Sequence, residues 1–128
     1  MYIEKAGGHV GRRIVTQRYN VAHFEQIEPL ACPCGQTRRA FADDPDGTAT
    51  FHVVQIKVDS QVHYHKRLTE IYYVLEGAGE MELDGGRLPI RPGSVIQIKP
   101  LCRHRAVGEL KVIVVAIPAF DPADEWFD

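Results

Sequence analysis

The sequence predicts an all-β fold, an antiparallel sandwich or barrel. Short runs rich in β-branched and aromatic residues recur at roughly the 8–12-residue spacing of such folds. Turn-forming clusters separate them, notably Asp43-Asp44-Pro45-Asp46-Gly47 and Asp84-Gly85-Gly86. No segment carries the apolar periodicity of a long amphipathic helix.

The elements follow in order. Arg12 to Thr16 reads as a first strand, and Asn20 to Glu28 as a helical turn or irregular arm. Pro29 to Gly35 reads as loop, and Thr37 to Phe41 as a strand ending at the Asp43–Gly47 turn. Phe51 to Val58 is a β-branched run, and Val62 to His65 a short strand. Glu70 to Leu75 is rich in Tyr, Ile and Val and is released from its strand by Gly77-Ala78-Gly79. Glu80 to Leu83 leads through Asp84-Gly85-Gly86, a tight hairpin signature, into Leu88 to Arg91. Ser94 to Lys99 precedes Pro100, a loop and a strand through His104, and Leu110 to Ile117 is the last long β run. This places a barrel core at about 37–118, an N-terminal arm at 1–36 and a tail at 119–128. The tail is acidic yet keeps Phe120, Trp126 and Phe127, so it is expected to dock on the barrel or on a partner subunit.

The chain has 128 residues, 45% hydrophobic and 25% charged, which suits one domain with a real core. A net charge of -2 gives no basic surface for nucleic acid or anionic membrane. No apolar run approaches the ~20 residues of a membrane span, and Met1 to Gly8 lacks the apolar stretch of a secretion signal. A cytoplasmic protein is expected. The odd count of three cysteines, with only Pro33 between Cys32 and Cys34, points to free thiols.

The most informative residues are His63-x-His65, Glu70, Gly77 and the downstream His104. On a strand, residues i and i+2 share a face, so His63 and His65 project together and Tyr64 points away. Glu70 lies an odd number of residues beyond His65. A turn through Lys66-Arg67-Leu68-Thr69 resets the phase and returns it to the same interior. His104 arrives from a later strand, as inward positions do in a rolled barrel. Three imidazoles and a carboxylate suit one divalent transition ion, such as Fe, Mn, Ni, Co, Cu or Zn. On an octahedral ion they leave positions open for water, dioxygen or substrate.

These residues resemble the cupin superfamily. Its first motif, Gly-x5-His-x-His-x3–4-Glu-x6-Gly, is matched by His63, His65, Glu70 and Gly77, with Lys57 in place of the leading glycine. Its second, Gly-x5-Pro-x-Gly-x2-His, is matched by Gly93 and His104, with Lys99 at the proline and Leu101 at the second glycine. The resemblance covers about Phe51 to Ile117 and is strongest to small single-domain members, some of them described as like mannose-6-phosphate isomerase. It implies a double-stranded β-helix, or jelly-roll barrel, with a metal (Fe, Mn, Ni or Zn) held by His63, His65, Glu70 and His104 inside one mouth. It also implies a homodimer, often with exchanged N-terminal strands, and a small-molecule substrate or ligand.

Other positions are read beside these. Tyr72 shares strand phase with Glu70 and either lines the pocket or packs in the core. Gln97 is a candidate inward polar residue. Cys102 would share the face of His104, and a small buried thiol is the safer reading. His52 is read as a satisfied structural histidine. Arg67, Arg87, Arg91, Arg103 and Arg105 are read as rim charges, and His9 and His23 as surface residues. No second carboxylate or base is visible near the motif. The function expected is a metal-dependent enzyme on a small organic substrate. Dioxygenase chemistry is favoured if the ion is iron, and isomerase, lyase or hydrolytic chemistry if it is zinc or manganese. The alternative is a non-catalytic module that senses or carries a small ligand.

Overall fold

The structure, a computed structural model, describes residues 18–32, 34–57 and 61–128 in full, and 2–5 and 12–15 as backbone. His9 and the expected strand ends at Thr16 and Val58 lie outside these residues. The strands are β1 (Tyr2–Lys5), β2 (Arg12–Val15), β3 (Leu30–Cys32), β4 (Gly35–Ala40), β5 (Thr50–Ile56), β6 (Thr69–Leu83), β7 (Gly86–Ile90), β8 (Val95–Ile98) and β9 (His104–Ile117). β1 and β2 form an antiparallel pair. The others form one antiparallel sheet in the order β3-β4-β5-β9-β6-β7, with β8 also pairing β6. The fold is the double-stranded β-helix that the sequence implied, although the hydrogen-bonded path does not close into a ring.

Alternation sets the interior. β5 buries Thr50, His52, Val54 and Ile56, and β9 buries Leu110, Val112, Val114 and Ala116. Val54, Ile56, Leu110, Val112 and Val114 join Tyr72, Val74, Met81, Ile90 and Ile98 in the apolar core. Its polar counterpart (Thr37, Thr50, His52, His65, Glu70 and His104) is buried too, which marks one end of the barrel as a site.

Several expectations are corrected. Gly77 and Gly79 do not end a strand; β6 runs through them for 15 residues. A register shift between Val74 and Glu76 places one extra residue in β6, so the inward phase passes from Tyr72 and Val74 to Met81 and Leu83. Gly79 lies against β9 so closely that a Cβ there would strike the Val107 carbonyl. The glycines thus permit a close crossing. Likewise β9 is continuous from His104 to Ile117. Pro29 to Gly35 is not all loop, since β3 pairs with β4 there; the main sheet therefore starts inside the expected arm. Val62 to His65 forms only isolated bridges, His63 to His104 and Tyr64 to Trp126. The 20–28 segment holds a single 3-10 turn, Phe24–Gln26.

Cys32 and Cys34 are joined by a disulfide (S–S 2.03 Å, Cα–Cα 5.2 Å), against the expectation of free thiols. The reversal between β3 and β4, which sets Cys32 opposite Gly35, brings their Cα atoms within the range that disulfides span. The odd cysteine is Cys102, which stays free.

The tail docks on its own barrel. Asp124 is buried, and its carboxylate accepts the backbone N–H groups of Lys66 (3.0 Å), Arg67 (3.1 Å) and Leu68 (3.4 Å) and the Trp126 indole N–H (3.2 Å). Tyr64 and Trp126 exchange two backbone hydrogen bonds of 2.9 Å. Lys66 Nζ lies 3.6 Å from the centre of the Trp126 ring. Asp121 and Asp128 pair with Arg67 and Arg103.

Two stability changes are expected. Asp124→Ala strands the N–H groups of the 66–68 turn and lowers the unfolding free energy by roughly 2–4 kcal/mol, measured by denaturant titration, with a change in Trp126 fluorescence. Leu101, where the motif has glycine, adopts φ 77° with its side chain exposed. Relief of that backbone strain makes Leu101→Gly stabilising, by up to about 1 kcal/mol in the same assay.

Candidate metal centre

His63, His65, Glu70 and His104 each present one donor atom, and these four atoms lie within 4.8 Å of one another. They come from separate stretches of chain. His63 and His65 flank Tyr64 in an extended segment pinned on one side by β9, through reciprocal His63–His104 backbone bonds of 3.1 and 2.9 Å, and on the other by Trp126. Glu70 is the second residue of β6 and His104 the first of β9. The turn between His65 and Glu70 performs the phase reset, held by Asp124. His65, Glu70 and His104 are 3%, 6% and 0% exposed, so these three donors are shielded from bulk solvent.

Each imidazole is oriented by a backbone carbonyl. Nδ1 of His63 contacts Gln61 O at 2.9 Å, Nδ1 of His65 contacts Asp124 O at 2.8 Å, and Nδ1 of His104 contacts Cys102 O at 2.9 Å. A carbonyl oxygen only accepts, so each Nδ1 carries a proton, and in the neutral form of each ring the Nε2 lone pair is the one turned inward. Two of these lone pairs meet the Glu70 carboxylate: His104 Nε2 is 2.9 Å and His65 Nε2 3.2 Å from Oε1. At these distances the ring nitrogen and the carboxylate need a cation between them, either a proton on Nε2 or a metal ion. His65 Nε2 is moreover buried without a satisfactory hydrogen bond, since the 3.2 Å approach to Glu70 is an ion-pair distance with poor alignment. The donor set therefore fits a divalent ion, and the Nδ1 bonds are the partners that metal-bound histidines use.

The electrostatics agree. Burial alone would raise the Glu70 carboxyl, but the His104 and His65 imidazoles hold it far below the usual carboxylate range. Burial, reinforced by His104, lowers His63 to about 4. For His65, burial lowers the pKa, but the adjacent Glu70 carboxylate outweighs it and raises the value.

The cavity beside these donors has a volume of about 60 Å³, room for a few waters or a small organic fragment. Tyr72 lines it and is also part of the packed core, its hydroxyl held neutral by burial and by Glu70. His52 lines it as well and shares a 2.8 Å hydrogen bond with Thr50 Oγ1, as a structural histidine would. Burial, then Arg39, keeps His52 neutral down to about 4. Gln97 does not join the site: it sits exposed on β8, opposite Ile71. Cys102 packs at the edge of the core, with its Sγ 3.8 Å from the Arg103 carbonyl, and does not line the cavity. Arg67, Arg87, Arg103 and Arg105 pair with carboxylates, and Arg91 and His23 are exposed.

Among the cavity residues that escaped the sequence reading are three that bear on its chemistry, Arg39, Phe120 and Glu125. Arg39 lies two residues beyond the buried Thr37 on β4 and so shares its face, a signal the sequence did carry. Phe120 and Glu125 arrive with the tail, and Glu125 is a second carboxylate in the cavity that the motif did not reveal. Burial raises the Glu125 carboxyl, and Glu70 adds to the rise against the pull of His65. The Cys32–Cys34 disulfide forms part of the wall.

Comparison with known proteins places this geometry. The family model described as a cupin domain matches residues 50–117. A crystal structure of a protein from Planctomyces limnophilus is 42% identical, with a TM-score of 0.81 over 85% of this chain and 96% of that one. The Streptomyces nucleoside dehydratase Pac13 has a TM-score of 0.75 over 86% of this chain and 90% of its own, at 22% identity, a likeness of fold. The glucose-6-phosphate isomerase of Thermococcus gammatolerans is 37% identical over 67 residues, 44% of this chain. This chain spans 61% and 35% of the lengths of the two curated relatives it matches. Among the described residues no helix is long and apolar enough to cross a membrane. With its strands, its donor quartet and more than half of its length under the family model, the chain belongs to the cupin domain family.

Proposed function

We propose that the protein is a metal-dependent enzyme that moves a proton on a small organic substrate, an isomerase- or lyase-type reaction. His63, His65, Glu70 and His104 would hold one divalent ion, drawn from Fe, Mn, Ni or Zn. When bound, such an ion acts as a Lewis acid on a substrate oxygen and acidifies the adjacent C–H or O–H. The observation that carries the reading is Glu125, a carboxylate that shares the cavity with the donors and is not one of them. Burial raises its pKa, which suits a group that takes and returns a proton. A built-in proton acceptor favours proton transfer over the dioxygen chemistry that the donor set alone allows. The relative described as an isomerase points the same way. Phe120 and the tail exclude water, and Tyr72, held neutral, supplies an O–H donor. A homodimer in the cytoplasm is the assembly and location we propose.

Two measurements test this. Metal-free protein titrated calorimetrically with Zn²⁺ or Mn²⁺ should bind one equivalent. His104→Ala and Glu70→Gln should weaken binding by roughly a hundredfold or more, since even the partners of metal ligands are worth about 10–100-fold. Loss of no affinity in either variant would sink the metal site. In D₂O, the metal-loaded protein should exchange or eliminate the α-hydrogen of a substrate found in a panel of small hydroxy- and keto-compounds, followed by NMR. Glu125→Gln should lower that rate by roughly 10²–10⁴-fold with metal stoichiometry intact. Because the base works deprotonated, the wild-type rate should climb as pH rises through the elevated Glu125 pKa, and the variant should lose that limb. One bound metal with no turnover, or turnover indifferent to Glu125→Gln, would favour a ligand-binding module instead.

A further inference from the structure

We propose that Arg39 is an oxyanion-binding subsite of the metal cavity, and that the substrate carries a carboxylate or phosphate gripped by this guanidinium. The inference rests on the reading of the cavity as a substrate site, and it names what enters.

Arg39 stands on β4 directly opposite His52 of β5, so its side chain shares the cavity wall with that histidine. Its Nε is buried and has no hydrogen-bond partner. A buried guanidinium N–H left unpaired is costly, and guanidinium groups donate only, so what completes this one must be an acceptor. The contrast with the other arginines is direct. Arg67, Arg87 and Arg103 each meet a carboxylate of the protein at the surface, and the Nε of Arg105, buried like that of Arg39, still has the Glu82 carboxylate 3.4 Å away. Arg39 instead places its Cζ 4.4 Å from the centre of the Phe120 ring, a cation–π contact that steadies the group without using its N–H donors.

Charge points the same way. Burial lowers the Arg39 pKa, and Glu125 partly restores it by attraction across the cavity, without an ion-pair contact. With a divalent ion on the donor quartet, the cavity holds more positive than negative charge, and one anionic substrate group balances it. A planar oxyanion matches the fork of a guanidinium in two parallel hydrogen bonds. Arg39 would then fix one end of the substrate while the ion and Glu125 address the other, so it is a specificity-determining residue and takes no part in holding the metal.

The test uses NMR of the Arg Nε–H group in metal-free and zinc-loaded protein, titrated with sodium acetate or inorganic phosphate against sodium chloride of equal ionic strength. A saturable shift of Arg39 Nε–H is expected with one of the two oxyanions and not with chloride. Acetate as the tighter probe identifies a carboxylate substrate, and phosphate a phosphate ester. Arg39→Gln, followed through the Phe120 and His52 signals, should weaken that binding by roughly ten- to a hundredfold. Arg39→Lys keeps the charge without the fork and should fall between, and it serves if the glutamine variant does not fold. Zinc calorimetry of the same samples should show unchanged metal uptake in both variants. Arg39 silent to both anions, or an anion affinity unaltered in the variants, would overturn the subsite while zinc binding stood. An Arg39 response in protein that takes up no zinc would uphold the subsite and remove the metal reading alone.

Discussion

The carboxylate of Asp124 sits where two parts of the chain distant in sequence must agree. It gathers three consecutive backbone N–H groups of the turn at 66–68, and those bonds hold the turn that brings Glu70 round to the face of His65. Its own backbone carbonyl accepts the Nδ1 proton of His65. One residue of the tail thus sets both the backbone phase and the ring orientation on which the donor quartet depends. Burial would raise its carboxyl, but the N–H groups of Lys66 and Arg67 hold it ionised, below the usual carboxylate value. The carboxylate is therefore charged and fully used, as a buried charge must be if it is not to be a liability.

Around this anchor the barrel does opposite things at its two ends. One end is an ordinary packed interior of Val, Ile, Leu and Met. The other buries His65, His104 and Glu70 of the quartet, leaves His63 half-buried, and adds His52, Arg39 and Glu125 at the wall. Such a polar cluster is tolerable only where its members neutralise or hydrogen-bond one another, and here the Nε2 of His65, buried without a hydrogen-bond partner, leaves that balance incomplete without a cation. The arrangement trades stability for a binding site, the usual relation between buried polar groups and function.

Much of this was legible in the chain. His63 and His65 share a face by strand geometry alone, and the need for a phase reset before Glu70 follows from odd spacing. The all-β class and the Asp84-Gly85 turn follow from local chemistry, and Asp84 and Gly85 both adopt the positive φ that such a hairpin requires. Other features were hidden because they belong to pairs of strands. Gly77 and Gly79 look like terminators until β9 is seen crossing them. The Cys32–Cys34 bridge depends on a reversal that the expected loop did not contain. Gln97 has the composition of a pocket residue, but the pairing of β8 along β6 turns it outward. Glu125 and Phe120 carry no motif, and only the docking of the tail, itself expected from its aromatics, brings them to the cavity. Leu101 stands at a glycine position of the motif and keeps the glycine-like backbone, which shows that the bend before His104 is imposed by the surrounding bonds, including its own N–H to the His65 carbonyl.

All three imidazoles are steered by main-chain oxygens, those of residues 61, 102 and 124. A peptide carbonyl is present whatever side chain its residue bears, so the rotation and tautomer of the rings are inherited with the backbone path and do not hang on the identity of a supporting residue. The walls supplied by β4 and the tail have no such insurance, because there the chemistry lies in the side chains themselves. Point substitutions can therefore redraw what the cavity accepts while the grip on an ion survives, and a scaffold divided in this way is free to change its clientele faster than its cofactor.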